Sequence, residues 1–392
     1  MNSAKPEQFM PSQAESKKAE SILTEEQRKA SKIREKYHEQ YQPPWEDFAE
    51  SNIDKVSKKR KPPTPEQIRD MNQRMVELGE AFEGSDLNWH LDGALNISFL
   101  NGAGDNPDNY IGNHKDVDIS VEQSELAELE AQLLAKGYGF FLSRTDGKTG
   151  NKVLRRVDHE NFHDSDTEHM LIAAIDKNGK VRNDKALNFV DVHIIERNEE
   201  GEPLGKAGVT IPEKWARPQP LKIHDQKINL SHPGKVLYYK LHEGRDYDIT
   251  DIQRLIETGE ITEEDVDDVG EIYENEFKNN LERGQKVFRN VADKIKPKMS
   301  ANDIYKVISE QPEFQKGTDL EKGLQQLAQK ISESEDKSTE GILRIAITMF
   351  QVESKNKEKR NEIYKIRQQV KATNELKQLQ AEVKKYKKHP AD

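Results

Sequence analysis

The segment His114-Lys115-Asp116-Val117-Asp118-Ile119 sets the expected fold for the middle of this chain. Apolar and polar residues alternate in it, and the alternation continues to Val121, which predicts a β-strand with one buried face. On such a strand, residues two apart project from the same face, about 7 Å from each other. Asp116 and Asp118 are therefore expected to point together, away from the core.

Two adjacent carboxylates repel each other, and this repulsion raises the pKa of at least one of them. A hard cation such as Mg²⁺ removes the repulsion, because it binds carboxylate oxygens together with substrate phosphates. Spacing alone favours an exposed acidic strand face over a metal site, and both interpretations stay open at this point.

The residues around this strand predict an α/β (α+β) fold. Upstream, a short strand at residues 87–91 ends in Asp92-Gly93-Ala94, and a helix follows. A glycine there lets backbone N–H groups at a helix N-terminus approach phosphate oxygens, although an ordinary turn also explains Gly93. Thr64-Pro65 opens a helix before it, and residues 124–134 form another. Further strands are predicted at residues 138–143, 152–157, 169–175 and 186–195.

In this order, the segments 91–100 (LDGALNISFL) and 114–121 (HKDVDISV) resemble the signature of the polymerase-β-like nucleotidyltransferase superfamily. They are most similar to its lincosamide and aminoglycoside nucleotidyltransferase branch. The segment 189–193 (FVDVH) resembles a later strand of that branch, and 240–251 resembles its closing helix. The resemblance implies a nucleotidyltransferase-like mixed sheet with flanking helices.

The resemblance also implies a set of site residues. Asp116 and Asp118 would bind Mg²⁺, and Asp191 would complete the metal site or act as the catalytic base. His114 and Lys240 are candidate phosphate contacts, with Gly93 and Ala94 in the nucleotide-binding turn. This sequence departs from the family at two positions, because Ala94 stands where Gly or Ser is usual and Gly112 stands where Arg is usual.

Two functions follow from these residues. The first is a Mg²⁺-dependent enzyme that transfers a nucleoside monophosphate from ATP, or another nucleoside triphosphate, to a hydroxyl of a small molecule or a protein, with RNA the less favoured acceptor. The second is a non-catalytic nucleotide-binding scaffold or sensor whose helical arms assemble partners. The two departures favour the scaffold, whereas the three aspartates favour the enzyme.

The chain is expected to divide into four regions: a disordered or helical N-terminal extension (1–63), the nucleotidyltransferase-like domain (64–260), a helical domain (261–350) and a basic coiled-coil-like helix (351–392). Within the first region, residues 24–41 predict a charged helix. An apolar stripe in the last region needs a partner, either the body of the same chain or a second copy, and we expect self-association into a homo-oligomer. The stripe consists of Ile363, Ile366, Val370, Thr373, Leu376, Leu379, Val383 and Tyr386.

Composition narrows the setting of the protein. The 392 residues include no cysteine, which excludes disulfides and thiolate metal sites. The net charge of −11 argues against a general nucleic-acid binder. No apolar run is long enough to span a membrane, and the first residues lack the apolar stretch of a signal peptide. We therefore expect a cytoplasmic protein without a membrane partner.

Overall fold

The computed structural model describes residues 46–47, 61–114, 116–145, 152–163, 169–182, 184–311 and 318–388. The predicted helix at 24–41 lies outside these residues, as does most of the predicted N-terminal extension. Lys115 also lies outside them.

The first helix begins where the sequence supplies a capping residue. Thr64 accepts the Gln67 N–H, and the Gln67 side chain accepts the Thr64 N–H, so the first helix opens with a complete capping box. The helices are α1 (Pro65–Phe82), α2 (Gly93–Leu100), α3 (Leu126–Ala135), α4 (Pro233–Glu243), α5 (Asp246–Thr258), α6 (Glu263–Ala292), α7 (Ala301–Ser309), α8 (Thr318–Glu333), α9 (Thr339–Met349) and α10 (Val352–Lys388).

In the part of the chain that the structure describes, the strands form one 9-stranded mixed sheet in the order β1-β5-β4-β6-β7-β3-β2-β9-β8. The pairs β3–β7 and β2–β9 are parallel, and the other neighbours are antiparallel. The strands are β1 (Glu46–Asp47), β2 (Trp89–Leu91), β3 (Val117–Glu122), β4 (Tyr138–Thr145), β5 (Lys152–Val157), β6 (His169–Ala174), β7 (Phe189–Ile195), β8 (Gln219–Ile223) and β9 (Gln226–Leu230). The predicted α/β class, a mixed sheet with flanking helices, is confirmed.

The two faces of the central strands differ in chemistry. On one face, Val117 and Ile119 of β3 pack against Met75 and Leu78 of α1, and helix α3 adds further leucines to this core. Met71 and Phe82 of α1 lie in the same core. On the other face, α2 contacts β3, α4 and α5. This second face carries the polar residues of β3 and β7, because side chains alternate along a strand.

The chain separates into two compact units. The first contains Met1–Arg197 and Glu213–Thr258, and the second contains Asn198–Pro212 and Gly259–Asp392. The segment Asn198–Pro212 is a part of the second unit that the sequence did not indicate. The four regions expected from the sequence stay a prediction. None of the helices in the described residues is long and apolar enough to cross a membrane.

The second unit has its own helical core, built by helices α6 to α9. Its long helix α10 contacts α6, and Ile366 and Val370 are buried. Asn374 Nδ2 donates to the carbonyl oxygen of Ile261 at 3.2 Å. Beyond this contact, the apolar side chains of the predicted stripe that the structure describes are exposed: Leu376, Leu379 and Val383.

Candidate functional site

Strands β3 and β7 bring two of the predicted site residues together. Their parallel register pairs Asp118 with Asp191 and Ser120 with His193. Paired residues of neighbouring strands point to the same face, and the strands lie about 4.8 Å apart. Asp118 and Asp191 are therefore lateral neighbours on the polar face. Sequence spacing indicated the face of each aspartate but not this pairing.

A third aspartate extends the line on the other side of β3. The register of β2 pairs Leu91 with Ile119, and the Asp92 N–H donates to the Asp118 carbonyl oxygen at 2.8 Å. Asp92 therefore lies beside Asp118 at the end of β2. We call Asp92, Asp118 and Asp191, in this lateral order, the carboxylate row.

Gly93 follows Asp92 and must be a glycine for two reasons. Its φ is +67°, a left-handed conformation that other residues rarely adopt. A Cβ atom at this position would also lie 2.2 Å from Asp118 Oδ2. The turn therefore brings the backbone at the start of α2 directly against the Asp118 carboxylate. The predicted order of strand, glycine turn and helix is confirmed.

The charge of Asp118 is costly to the fold. Burial is the largest cause that raises the pKa of its carboxyl, and Asp116 and Asp92 raise it further, while His193 and Lys240 act in the opposite direction. Asp116 is exposed and precedes β3, which begins at Val117. The prediction that a strand carries both aspartates is therefore wrong by one residue, but their carboxylates are close enough to interact.

The environment of Asp92 stabilises its charged form, in contrast to that of Asp118. The hydroxyls of Ser120 and Ser231 donate to its carboxylate, and Lys235 Nζ lies 3.1 Å from Oδ1. Burial would raise the pKa of Asp92, but the Lys235 ammonium and the neighbouring hydrogen-bond donors hold it well below its usual value. The Asp92 side chain makes no capping hydrogen bond to α2, although it occupies the N-cap position.

The sequence did not identify Lys235, His90 or Ser120 as part of this region. Lys235 Nζ is 2.9 Å from His90 Nε2, and burial, reinforced by Lys235, lowers the pKa of His90 to about 3. His90 is therefore neutral and accepts a hydrogen bond from the lysine. One signal was available: Pro233-Gly234 opens α4, and Lys235 is a single cation before the apolar run Val236–Tyr239.

The remaining predicted residues lie near the row in different settings. The side chain of His114 is buried, and its carbonyl oxygen accepts from Arg74 Nη1 at 3.1 Å. Ala94 is buried in the first turn of α2. Lys240 Nζ lies 2.9 Å from Asp248 Oδ1 and 2.9 Å from Asp251 Oδ2. The phosphate contacts of His114 and Lys240 stay predictions.

The donor set fits a metal that is shared with a substrate. Within the described ranges, no three His, Asp or Glu side chains form a group that could hold a metal ion by themselves. Mg²⁺ is commonly bound through one or two carboxylates plus substrate phosphates and waters. Asp118, which burial makes costly to ionise, and its neighbours Asp116 and Asp191 offer this kind of oxygen donor.

Comparisons with known proteins add little to this description of the site. No family model matches the chain. No curated protein matches it either. One solved structure is similar, an antigenic nucleotidyltransferase-like protein from Paracoccidioides brasiliensis, with 14% identity, a TM-score of 0.27 and coverage of 50% of this chain and 78% of that chain. A similarity this low supports no argument about function, so the site is interpreted from its own residues.

Proposed function

We propose that this chain is a Mg²⁺-dependent nucleotidyltransferase that moves a nucleoside monophosphate from ATP, or another nucleoside triphosphate, to an acceptor hydroxyl. The observation that supports it is the pairing of Asp118 with Asp191 directly beside the Gly93 turn. In this arrangement, carboxylates for a metal and backbone N–H groups for phosphates meet at one place. The motif resemblance of residues 91–121 supports the same activity.

Asp116 and Asp118 would hold the metal, and Asp191 beside Asp118 would complete the metal site or act as the base. When bound, Mg²⁺ supplies positive charge to the phosphate oxygens and lowers the barrier to phosphoryl transfer. Gly93 and Ala94 would approach the triphosphate with their backbone, because the Asp92 side chain does not cap this end of α2. His114 and Lys240 would be further phosphate contacts.

Asp191 would act on the acceptor. The acceptor oxygen attacks the α-phosphorus, Asp191 takes the proton of the hydroxyl, and the bond from the α-phosphorus to the bridging oxygen of the β-phosphate breaks. Pyrophosphate leaves with the electron pair of that bond. The acceptor is a hydroxyl of a small molecule or a protein, and an RNA end is the less favoured candidate.

A nucleotide-binding scaffold or sensor is the second candidate. It is favoured by Ala94, which brings no hydroxyl to the first turn of α2, and by Gly112 in place of a cation. In that case the chain binds Mg²⁺–ATP and assembles partners without transferring a nucleotide. The first unit would then serve as a sensor, and the helices of the second unit would provide the partner surface.

The assay that separates the two is pyrophosphate release from Mg²⁺–ATP with small molecules, proteins and RNA as acceptors. For the enzyme, we expect Asp191→Asn to keep most Mg²⁺–ATP binding while the transfer rate falls about 10²–10⁴-fold, as is typical when a general base is removed. Asp225→Asn, at an exposed turn, is the matched control and should leave both unchanged. A wild-type protein that binds Mg²⁺–ATP but releases no pyrophosphate with any acceptor supports the scaffold instead.

A further inference from the structure

A buried cluster beside the carboxylate row has no part in the transfer proposed above. Its centre is the Lys235 ammonium, with Nζ 3.1 Å and 3.2 Å from the two Asp92 oxygens and 2.9 Å from His90 Nε2. The ammonium also donates to Ser120 Oγ. His90, Ser120 and Lys235 are at most 2% exposed. Carboxylate, imidazole and hydroxyl groups therefore surround one buried positive charge.

The cluster has the donors of a divalent-cation site, but a lysine fills its centre. Carboxylate and hydroxyl oxygens suit hard cations such as Mg²⁺ and Mn²⁺, and a neutral imidazole is a general metal ligand. His90 is neutral, because burial and the adjacent Lys235 keep its pKa low. Burial also lowers the pKa of Lys235, while Asp92 opposes that change. The buried ammonium and the Asp92 carboxylate therefore compensate each other in place of solvent.

We propose that Lys235 is a positioning residue whose ammonium occupies the place where a divalent cation would otherwise bind Asp92, His90 and Ser120. This internal cation keeps Asp92 out of metal binding and confines the metal to the side of the row that contains Asp118 and Asp191. The confinement of the metal to Asp118 and Asp191 rests on the proposed function, whereas the role of the Lys235 ammonium at Asp92 does not.

The positions of the carboxylates in the row explain why a lysine beside Asp92 would affect where a metal binds. Asp92 and Asp118 are neighbours across the β2–β3 ladder, so a metal that bridged them would be drawn away from Asp191. With Asp92 paired to Lys235, the carboxylates of the row outside the buried cluster are Asp118 and Asp191, which are lateral neighbours. Lys235 thereby makes the part of the row at Asp118 and Asp191 the preferred place for the metal.

The experiment compares Mn²⁺ binding to wild-type protein and to Lys235→Ala, with free Mn²⁺ measured by electron paramagnetic resonance. Alanine removes the ammonium and leaves room for an ion. The donors need to move inwards by about 1 Å, because ions of this kind bind oxygen at about 2.1 Å. We expect Lys235→Ala to bind one more Mn²⁺ per chain than wild type, and its melting temperature to rise more on addition of Mn²⁺. The double variant Lys235→Ala/Asp92→Asn should lose the additional ion.

Lys222→Ala is the matched control for the substitution. Lys222 also pairs with an aspartate, Asp225, at 2.8 Å, but both side chains are exposed. Its removal leaves a solvated carboxylate and should add no Mn²⁺. A folded Lys235→Ala protein that binds no more Mn²⁺ than wild type would overturn the proposal, as would one that stays unfolded in millimolar Mn²⁺.

The single variant Asp92→Asn gives a second, independent measurement. If Lys235 keeps Asp92 from binding metal, Asp92→Asn should bind as many Mn²⁺ ions per chain as wild type, with the same affinity. A tenfold loss of Mn²⁺ affinity would identify Asp92 as a metal ligand and overturn the proposal. Failure of the proposed function looks different. A wild-type chain that binds no Mn²⁺ in the presence of ATP counts against the transferase, but the additional ion in Lys235→Ala is still expected.

Discussion

Asp92 and Asp118 are neighbours on adjacent strands, yet their carboxyl groups are perturbed in opposite directions. Both are withdrawn from solvent, and burial raises the pKa of a carboxyl in each case. At Asp92 the Lys235 ammonium and two serine hydroxyls reverse this effect, so that its pKa is low. At Asp118 no lysine or arginine of the described residues forms an ion pair, and Asp116 adds repulsion. The direction of the difference follows the counter-charge, because Asp92, the more buried of the two side chains, is the one with the lowered pKa.

This contrast agrees with the proposal that Asp92 serves the fold and that Asp118 serves a ligand. A compensated charge depends on its internal cation, so its removal should affect stability. An uncompensated charge costs stability and is retained for binding.

The largest effect is expected at Asp118. Replacement by Asn should abolish the Mg²⁺-dependent part of ATP affinity while the protein remains folded, because the side chain serves the site and not the core. Calorimetry with Mg²⁺–ATP and with ATP in EDTA measures this part directly. Asp108→Asn, an exposed aspartate outside the row, should change neither titration. Equal Mg²⁺-dependent affinities for wild type and Asp118→Asn would rule out the metal role.

The second prediction concerns buried carboxylates whose charge is compensated by another lysine of α4. Lys240 pairs with the buried Asp248 and Asp251, so Lys240→Met leaves two buried carboxylates without this cation. Breaking a buried pair from one side costs about 3–5 kcal/mol, and chemical denaturation measures it. Lys222→Met removes an exposed pair and should leave the free energy of unfolding unchanged. If Lys240 also contacts phosphate, the folded variant should bind ATP more weakly.

A third, smaller effect is expected at Gly93. Gly84 and Gly93 both have positive φ, +79° and +67°, but only Gly93 has a neighbour within 4 Å of an added Cβ, the Asp118 carboxylate. Alanine at either position should cost about 1–2 kcal/mol of backbone strain. Gly93→Ala should in addition displace Asp118 and weaken Mg²⁺–ATP binding. Thermal melts and calorimetry on the two variants separate strain from displacement, and equal ATP affinities would contradict the close contact.

The sequence predicted the elements that depend on local pattern. Strand alternation identified β3 and its buried residues, and the capping residues at Thr64 identified the start of α1. It did not predict the pairing of Asp118 with Asp191, because register is a long-range property that no local period encodes. It also missed the β8–β9 hairpin, whose turn residues His224 and Asp225 have positive φ without a glycine to signal it.

Long-range contacts also limit what the sequence predicts about the partners of Lys235 and about the packing of the C-terminal apolar stripe. Lys235 lies in an otherwise apolar helical turn, and only the folded structure brings Asp92 and His90 to it. The period of α10 indicated a helix with an apolar face, and Ile366 and Val370 are buried. The helical period does not show at which residue the apolar face stops packing against the rest of the chain, and Leu379 is exposed. Self-association through this part of the helix stays a prediction.

The smallest expected effect is the change in the stability of the fold when Asp118 is replaced in the absence of metal. The folded pKa of Asp118 is raised, so its contribution is favourable below the unfolded pKa of about 3.9 and is lost as the pH rises through the folded value. At neutral pH the ionised carboxylate therefore destabilises the fold, and Asp118→Asn should melt at a higher temperature than wild type.

Asp92 should respond with the opposite sign, because its folded pKa is lowered. Its ionised form stabilises the fold above the unfolded pKa, and this contribution is lost as the pH falls through the folded value. Asp92→Asn should therefore melt below wild type at pH 7. Melting curves in EDTA between pH 7 and pH 4 should show the Asp118→Asn advantage shrinking towards the lower pH, while the Asp92→Asn deficit persists over this range. Deviations of the same sign in both variants would show that burial alone, and not the Lys235 charge, governs the row.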